Sequence, residues 1–582
     1  MIRIIAIGLV LGLLTADTMA ASGDDLHRLF DDYWDHEMEI NPFSATSSGI
    51  NLYNDRVPDV SPAAKTRALE AQQRFSMRLN DIDLSSVNAN DRLSAEILAF
   101  ILKHDIALAE FDQWRIPFLA DTGFHSNFGY VVGSTPFNDE EDYRNYLTRL
   151  AAFPGYLDQN IENMRAGLAS GFAQPKEILG NILPSFEAQV TDTAEDHPFY
   201  RPFMSMPDNI APDVRADLEL GAKGVLDDQV IPTYARLLSF MRDEYLPNTR
   251  ETLGATELPN GPEYYAALVR YFTTLDDASA GPIHQRGLDE VDRIRNEMDA
   301  VIAETDFDGS FEEFLSFLRT DPQFYAKTPE EILMRAAWIS KKIDGRLPGF
   351  FGKLPRQPYS VEPVPMEIAA NYTGGRYVSS PPGGSRGGQY WVNTYALHTR
   401  PLYQLAALSL HEGVPGHHFQ GALAYEVENA PAFRTQFYPH AFGEGWGLYS
   451  EKLGVEMGIY ETPYDHFGRL SYEMWRACRL VVDTGLHAMG WTRQQAVDYL
   501  AANTALSLHS IGTEVDRYIA WPAQALAYKM GELTIWDLRA KSERELGDAF
   551  DIREFHDAVL TKGGLPLQIL RSQINAYIAA RQ

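Results

Sequence analysis

Between residues 355 and 397 the chain loses a period that it keeps almost everywhere else. Outside that segment, apolar residues recur three and four positions apart, the spacing that lines one face of an α-helix. "DDLHRLFDDYWDHEMEI", "SPAAKTRALEAQQRFSMRL", "NDRLSAEILAFILKHDIALAEF" and "DVRADLELGAKGVLDDQVIPTYARLLSFMRDEYL" all carry it. Ser61-Pro62 and Asn90-Asp91 have the composition of helix starts, and breaks such as "LPNGPEY" part the elements. In "YTGGRYVSSPPGGSRGGQYWVNTY" glycine, serine and proline alternate with aromatic β-formers instead. "QYWVNTY" reads as a strand and the glycine-rich run before it as a loop or hairpin. Helical spacing resumes at Arg400 and lasts to the end. The expected fold is mostly α, with a small sheet within 355–397, just ahead of a histidine cluster. At 582 residues the chain exceeds one compact core. We therefore expect an elongated body of two lobes, a helical one over 21–345 and a second over 346–582 that holds the sheet.

Composition matters here mainly for what it excludes. With 45% hydrophobic and 22% charged residues, extensive disorder is ruled out. A formal charge of −30 argues against nucleic acid or an anionic membrane as partner. The first residues, "MIRIIAIGLVLGLLTADTMAASGDD", supply a basic Arg3, an apolar run from Ile4 to Leu14 and a small-x-small site at Thr18-Met19-Ala20. That is a secretory signal peptide over residues 1–20, cut after Ala20. Its apolar run is shorter than the ~20 residues that span a bilayer. The expected location is the periplasm or the medium, with no membrane attachment after cleavage. Cys478 is the only cysteine, which excludes an intrachain disulfide and a cysteine-based zinc site; packing is its expected role. Nothing in the sequence bears on oligomeric state.

The stretch "LSLHEGVPGHHFQ", residues 408–420, opens like the zinc-binding pattern H-E-x-x-H, but Pro415 stands where the second histidine belongs. On a helix, ligands four apart differ by about 40° and 6 Å and can share one ion. His411 and His417 are six apart, about 240° around a regular helix. Gly413, Pro415 and Gly416 break helices, and a two-residue bulge there brings His417 back beneath His411. His418 lies on the same face but about 10 Å along the axis, and is the less favoured alternative. Zinc at a catalytic site takes three protein ligands, so a carboxylate should complete the set. "AFGEGWGLYSEKLG" offers Glu444 and Glu451, seven apart on one face, and the glycines beside Glu444 leave room for close approach to an ion. Glu412, next to the first ligand, is then the general base.

Together with "GEGWGLYSE", "RLVVDTGLHAMGWTRQQAVDYL" and "EVDRYIAWPAQALAYKMGE", this stretch resembles the bacterial "domain of unknown function 885" family of secreted proteins. "PIHQRGLDEVDRIRNEM" and "GSRGGQYWVNT" fit it too, so the resemblance runs over nearly the whole mature chain. More distantly, the chain is similar to helical gluzincin zinc peptidases: thimet oligopeptidase, carboxypeptidase Taq and dipeptidyl peptidase III. This second resemblance implies a gluzincin-like two-lobed architecture, His411, His417 and Glu444 as zinc ligands and Glu412 as base. The two-residue insertion departs from all three relatives.

Amide hydrolysis also needs a donor to the developing oxyanion. Pro522 suits the first turn of a helix, which places Arg517 and Tyr518 in the loop feeding it. Tyr518 is the chosen donor and Tyr528 the next. Arg479, Asp483 and His487 recur every four residues and form either a ligand-orienting network or an ion-pair ladder. Arg376 and Arg386 in the glycine-rich segment can pair with a peptide carboxylate; Arg386, Arg517 and Tyr528 are the expected substrate contacts. The leading expectation is a secreted zinc peptidase hydrolysing short peptides by Glu412-assisted attack of zinc-activated water. A zinc hydrolase of another amide or ester, and a non-catalytic binding protein with a structural metal, are the alternatives. Retention of Glu412 disfavours the last, because a structural site needs no base.

Overall fold

A computed structural model describes residues 5–370, 372–380 and 386–582, with side chains from Gly23 onward apart from that of Glu367. Residues 1–4 of the expected leader, and 381–385 of the glycine-rich run, lie outside the described residues. No helix among the described residues is long and apolar enough to cross a membrane. By internal packing the chain forms two units, residues 1–264 with 431–436, and residues 265–430 with 437–582. The 345 boundary expected from the sequence falls inside the second unit.

The first unit is helical, and its ends follow local chemistry. The helix Pro62–Asn80 starts where Ser61 accepts a hydrogen bond from the Ala64 amide, a side chain satisfying one of the free donors of a first turn. The helix Ala89–Leu108 starts slightly earlier than expected, because Asn88 rather than Asn90 caps it, accepting from the Asp91 amide. An aromatic core, including Phe128, Phe153, Tyr146, Phe199 and Tyr234, is sealed from water.

The second unit carries the site, and the elements used to describe it are named in chain order. They are α1 (Ala280–Ile302), α2 (Pro329–Asp344), β1 (Tyr359–Pro363), β2 (Gly375–Val378), β3 (Gly388–Val392), α3 (Leu405–Glu412), α4 (His417–Tyr425), α5 (His440–Glu456), α6 (Pro463–Ala488), α7 (Leu508–Ala520) and α8 (Leu526–Leu546). β3 is central, parallel to β1 and antiparallel to β2. Its alternate residues Tyr390 and Val392 are buried against Ile332 and Ala336 of α2 and Leu405 of α3, the two-residue period of a half-covered strand. β2 is an outer strand. α6 is buried along most of its length, although it carries charges. Those charges are paired: Lys529 of α8 lies 2.9 Å from Glu473 of α6, 3.3 Å from Glu290 of α1 and 2.5 Å from Glu532, and Arg469 reaches Glu473 at 2.6 Å. Buried ions persist only with such partners.

Candidate metal centre

The expected bulge is instead a full break. α3 ends at Glu412, Gly413 and Gly416 take torsions (ψ −119° and −130°) that are neither helical nor extended, the Val414–Pro415 peptide is cis, and α4 starts afresh at His417. Proline cannot donate the bond a continuing helix requires. A Cβ at Gly416 would collide with the His411 carbonyl, so only glycine lets the second helix start against the end of the first. Trp446 of α5 pins the turn, its indole donating to the Pro415 carbonyl at 2.7 Å.

The break sets the His411 and His417 rings perpendicular, 4.7 Å between centroids. Glu444 of α5 completes the set, its Oε2 3.5 Å from Nε2 of each histidine. All three ligand atoms lie within 4.8 Å of one another. A tetrahedral ion with ligands near 2.1 Å has them about 3.4 Å apart, so the observed spacing fits a zinc-sized ion. Burial alone would lower the His411 pKa, but the Glu444 and Glu451 carboxylates outweigh it and lift it to about 9. Burial likewise opposes ionisation of Glu444, and the two imidazoles overcome it and hold the carboxyl well below its ordinary range.

Glu451, seven residues after Glu444, is not in the triplet. Its Oε1 lies 2.7 Å from His411 Nδ1, leaving Nε2 to face the other two members of the triplet. A carboxylate behind a histidine fixes the ring's orientation and tautomer. Arg476 stands 3.8 Å from the same carboxylate. The glycines around Glu444 do not serve to admit an ion. Gly443 makes room for the Tyr438 ring, Gly445 for the backbone of Gly531 on α8, and Gly447 for the His411 imidazole, whose Cε1 would sit 2.6 Å from an added Cβ.

Glu412 hangs between the triplet and the sheet, its Oε2 accepting from the Tyr377 amide at 2.8 Å on β2. His418 faces away. Its nitrogens lie 3.0 Å from the Gln357 carbonyl and 3.3 Å from the Tyr377 hydroxyl, and burial lowers its pKa to about 4.

Tyr518 and Arg517 are not in a loop but in the last turn of α7, while Pro522 falls in the turn before α8. Ser507 caps α7, and Ile511, Val515, Tyr518 and Ile519 keep its buried face going to Ala520. The Tyr518 hydroxyl is buried and accepts from Trp475 at 3.0 Å and Arg479 at 2.9 Å. Arg517 donates to Glu514 at 3.2 Å and Gln524 at 2.5 Å, and the Arg479 guanidinium lies 4.3 Å from the Tyr528 ring centre. Asp483 accepts from the Tyr265 hydroxyl at 2.6 Å and the Ala523 amide at 3.1 Å, and burial pushes its carboxyl up to about 7. His487 Nε2 meets the Tyr518 carbonyl at 2.9 Å. The Arg479, Asp483 and His487 face thus fastens α6 to α7 and the following turn. Cys478 is buried, and its thiol is pushed up by burial.

Arg386 bonds Gln389 at 3.0 Å and the Ser379 carbonyl at 3.1 Å, tying the ends of its own loop. Arg376 is the arginine near the triplet: exposed, hydrogen-bonded to Tyr372 and within the fields of Glu412 and Glu444. The sequence gives no signal for Tyr438. It precedes α5, is 47% exposed, has its hydroxyl over Gly443, and feels Glu444, Tyr528, Glu412 and Arg376.

Two solved structures are similar over nearly the full length. One, from Colwellia psychrerythraea and provisionally described as a lipoprotein, is 28% identical with a TM-score of 0.90, over 96% of this chain and 100% of that one. Another, from Shewanella oneidensis, also provisionally described as a lipoprotein and of unknown function, is 16% identical with a TM-score of 0.73, over 94% of this chain and 99% of that one. The second likeness is one of fold alone. None of the curated proteins compared matches the chain. The model of the family "Bacterial protein of unknown function (DUF885)" matches residues 42–574, and the chain therefore belongs to that family.

Proposed function

We propose that this protein is a zinc-dependent peptidase acting on short peptides outside the cytoplasm. The observation that carries the reading is the triplet of His411, His417 and Glu444, its atoms at zinc-ligand spacing and Glu412 next to the first of them. A zinc ion held there supplies Lewis acidity, polarising a carbonyl and acidifying water. The chain's own groups do the rest: Glu451 holds the His411 ring, and Glu412 takes a proton from the attacking water and returns it to the leaving amine. A catalytic site keeps a coordination position open, whereas a structural site closes it with a fourth protein ligand. His418, the candidate fourth ligand, is bonded to Gln357 and Tyr377 instead, which supports the catalytic reading. The gluzincin-like motifs support peptides as substrates. The leader and the provisional lipoprotein description of both neighbours support the location.

The test is hydrolysis of a library of short unblocked peptides near neutral pH. Activity should vanish with a chelator and return with zinc. Glu412→Gln should lower the rate by about 10² to 10⁴, the contribution of a general base, with about one zinc per chain still bound. An intact library with stoichiometric zinc would redirect the reading to other amides or esters. A wild type without zinc after chelator-free purification would overturn the site itself.

A further inference from the structure

We infer that Tyr438 is the catalytic hydrogen-bond donor to the carbonyl oxygen of the substrate, the role that the sequence assigns to Tyr518. The inference rests on the peptidase reading above. Three observations carry it. The Tyr438 hydroxyl lies directly over Gly443, the residue before the ligand Glu444, in space that any Cβ at 443 would take. Its side chain is 47% exposed, so a substrate can reach it, and its hydroxyl makes no hydrogen bond among the described residues. Finally, its edge-on contact with His440, 5.4 Å between ring centres, braces the ring at the start of α5. A phenol, with an ordinary pKa of about 10, is protonated at neutral pH, as a donor requires. Tyr518 fails on the same criteria: it is 1% exposed, and its oxygen is already held by Trp475 and Arg479.

In the step proposed, the water oxygen bonds to the carbonyl carbon, one water proton passes to Glu412, and the carbonyl π electrons move onto oxygen. Tyr438 donates its O–H to that oxygen and keeps its proton. When the C–N bond breaks, the oxygen's electrons re-form the carbonyl, and the proton on Glu412 goes to the amine nitrogen. Such a donor meets charge that exists only in the transition state, so its loss should fall on kcat rather than KM.

The experiment compares wild type with Tyr438→Phe, which keeps the ring. Expected are unchanged zinc content, a kcat about 10²-fold lower with little change in KM, and a similar drop in affinity for a phosphinic peptide, measured by calorimetry. Gly443→Ala, which displaces the ring, should reproduce the kcat loss. Tyr518→Phe should lower the melting temperature without that selective loss. A Tyr438→Phe enzyme with wild-type kcat and phosphinate affinity, or one changed only in KM, would overturn the inference and leave the peptidase reading standing. A wild type that cleaves no peptide would overturn that reading, and this inference with it.

Discussion

His417 and His418 are neighbours in the chain with unlike surroundings. His417 has Glu444 Oε2 at 3.5 Å, a carboxylate that two imidazoles keep ionised. His418 has a backbone carbonyl and a phenol, with the Tyr359 ring 4.6 Å away. His417→Ala should therefore lose most bound zinc. His418→Ala should keep the zinc and lose stability instead, by about 2 kcal/mol or more, since it strips hydrogen-bonding groups of a buried partner. Zinc content by metal analysis and melting temperature separate the two effects, and the opposite ranking would mean that the chain uses the seven-residue spacing. The members of the triplet were legible as a candidate set because His-Glu, two breakers and a distant glutamate are a compact chemical pattern. The orientations of His418 and Glu451 were not, because they depend on Gln357, Tyr377 and His411, which are brought near only by the fold.

At the scale of elements, the site is a meeting of α3, α4 and α5, and α5 is positioned from behind by α8. Those two helices cross backbone to backbone: a Cβ at Gly445 would stand 2.5 Å from the Gly531 Cα, and one at Gly531 would strike the Ala441 carbonyl. Gly531→Ala should push α5 off α8 and carry Glu444 out of register with the histidines. The expected cost is at least the about 1–3 kcal/mol of core overpacking, read as a lower denaturant midpoint, together with weaker zinc binding at equal protein. An unchanged midpoint would show that the crossing relaxes freely. The helices themselves were legible from period and caps, as at Ser61. The purpose of the glycines was not, because a glycine in sequence records that something comes close and not what. The end of α7 was misjudged for a related reason: Pro522 looks like a helix start, but the turn before α8 is held by Asp483 through the Ala523 amide, a partner 40 residues away.

For the molecule as a whole, a charge of −30 makes carboxyl groups the main source of pH dependence. In the first unit, burial and the nearby Asp105 raise Glu37 to about 7, and burial raises Asp105 to about 6. A carboxyl raised in the folded state contributes stability that is full below its unfolded pKa, near 4.5 for Glu37, and is lost as pH rises through about 7. Wild-type melting temperature should thus fall between pH 5 and pH 8 more steeply than that of Glu37→Gln, and the variant should be the more stable at pH 8. Parallel curves would show that Glu37 is not desolvated. By itself the sequence determined the mostly helical class, the small sheet and the family, because each is written in local spacing or in residue chemistry. Only the tertiary structure decided that the units divide at Tyr264 and Tyr265, that α1 and α2 belong with the site, and that Tyr438 rather than Tyr518 stands open beside Glu444. Those outcomes depend on which buried faces find each other across tens to hundreds of residues, and local propensity does not encode that pairing.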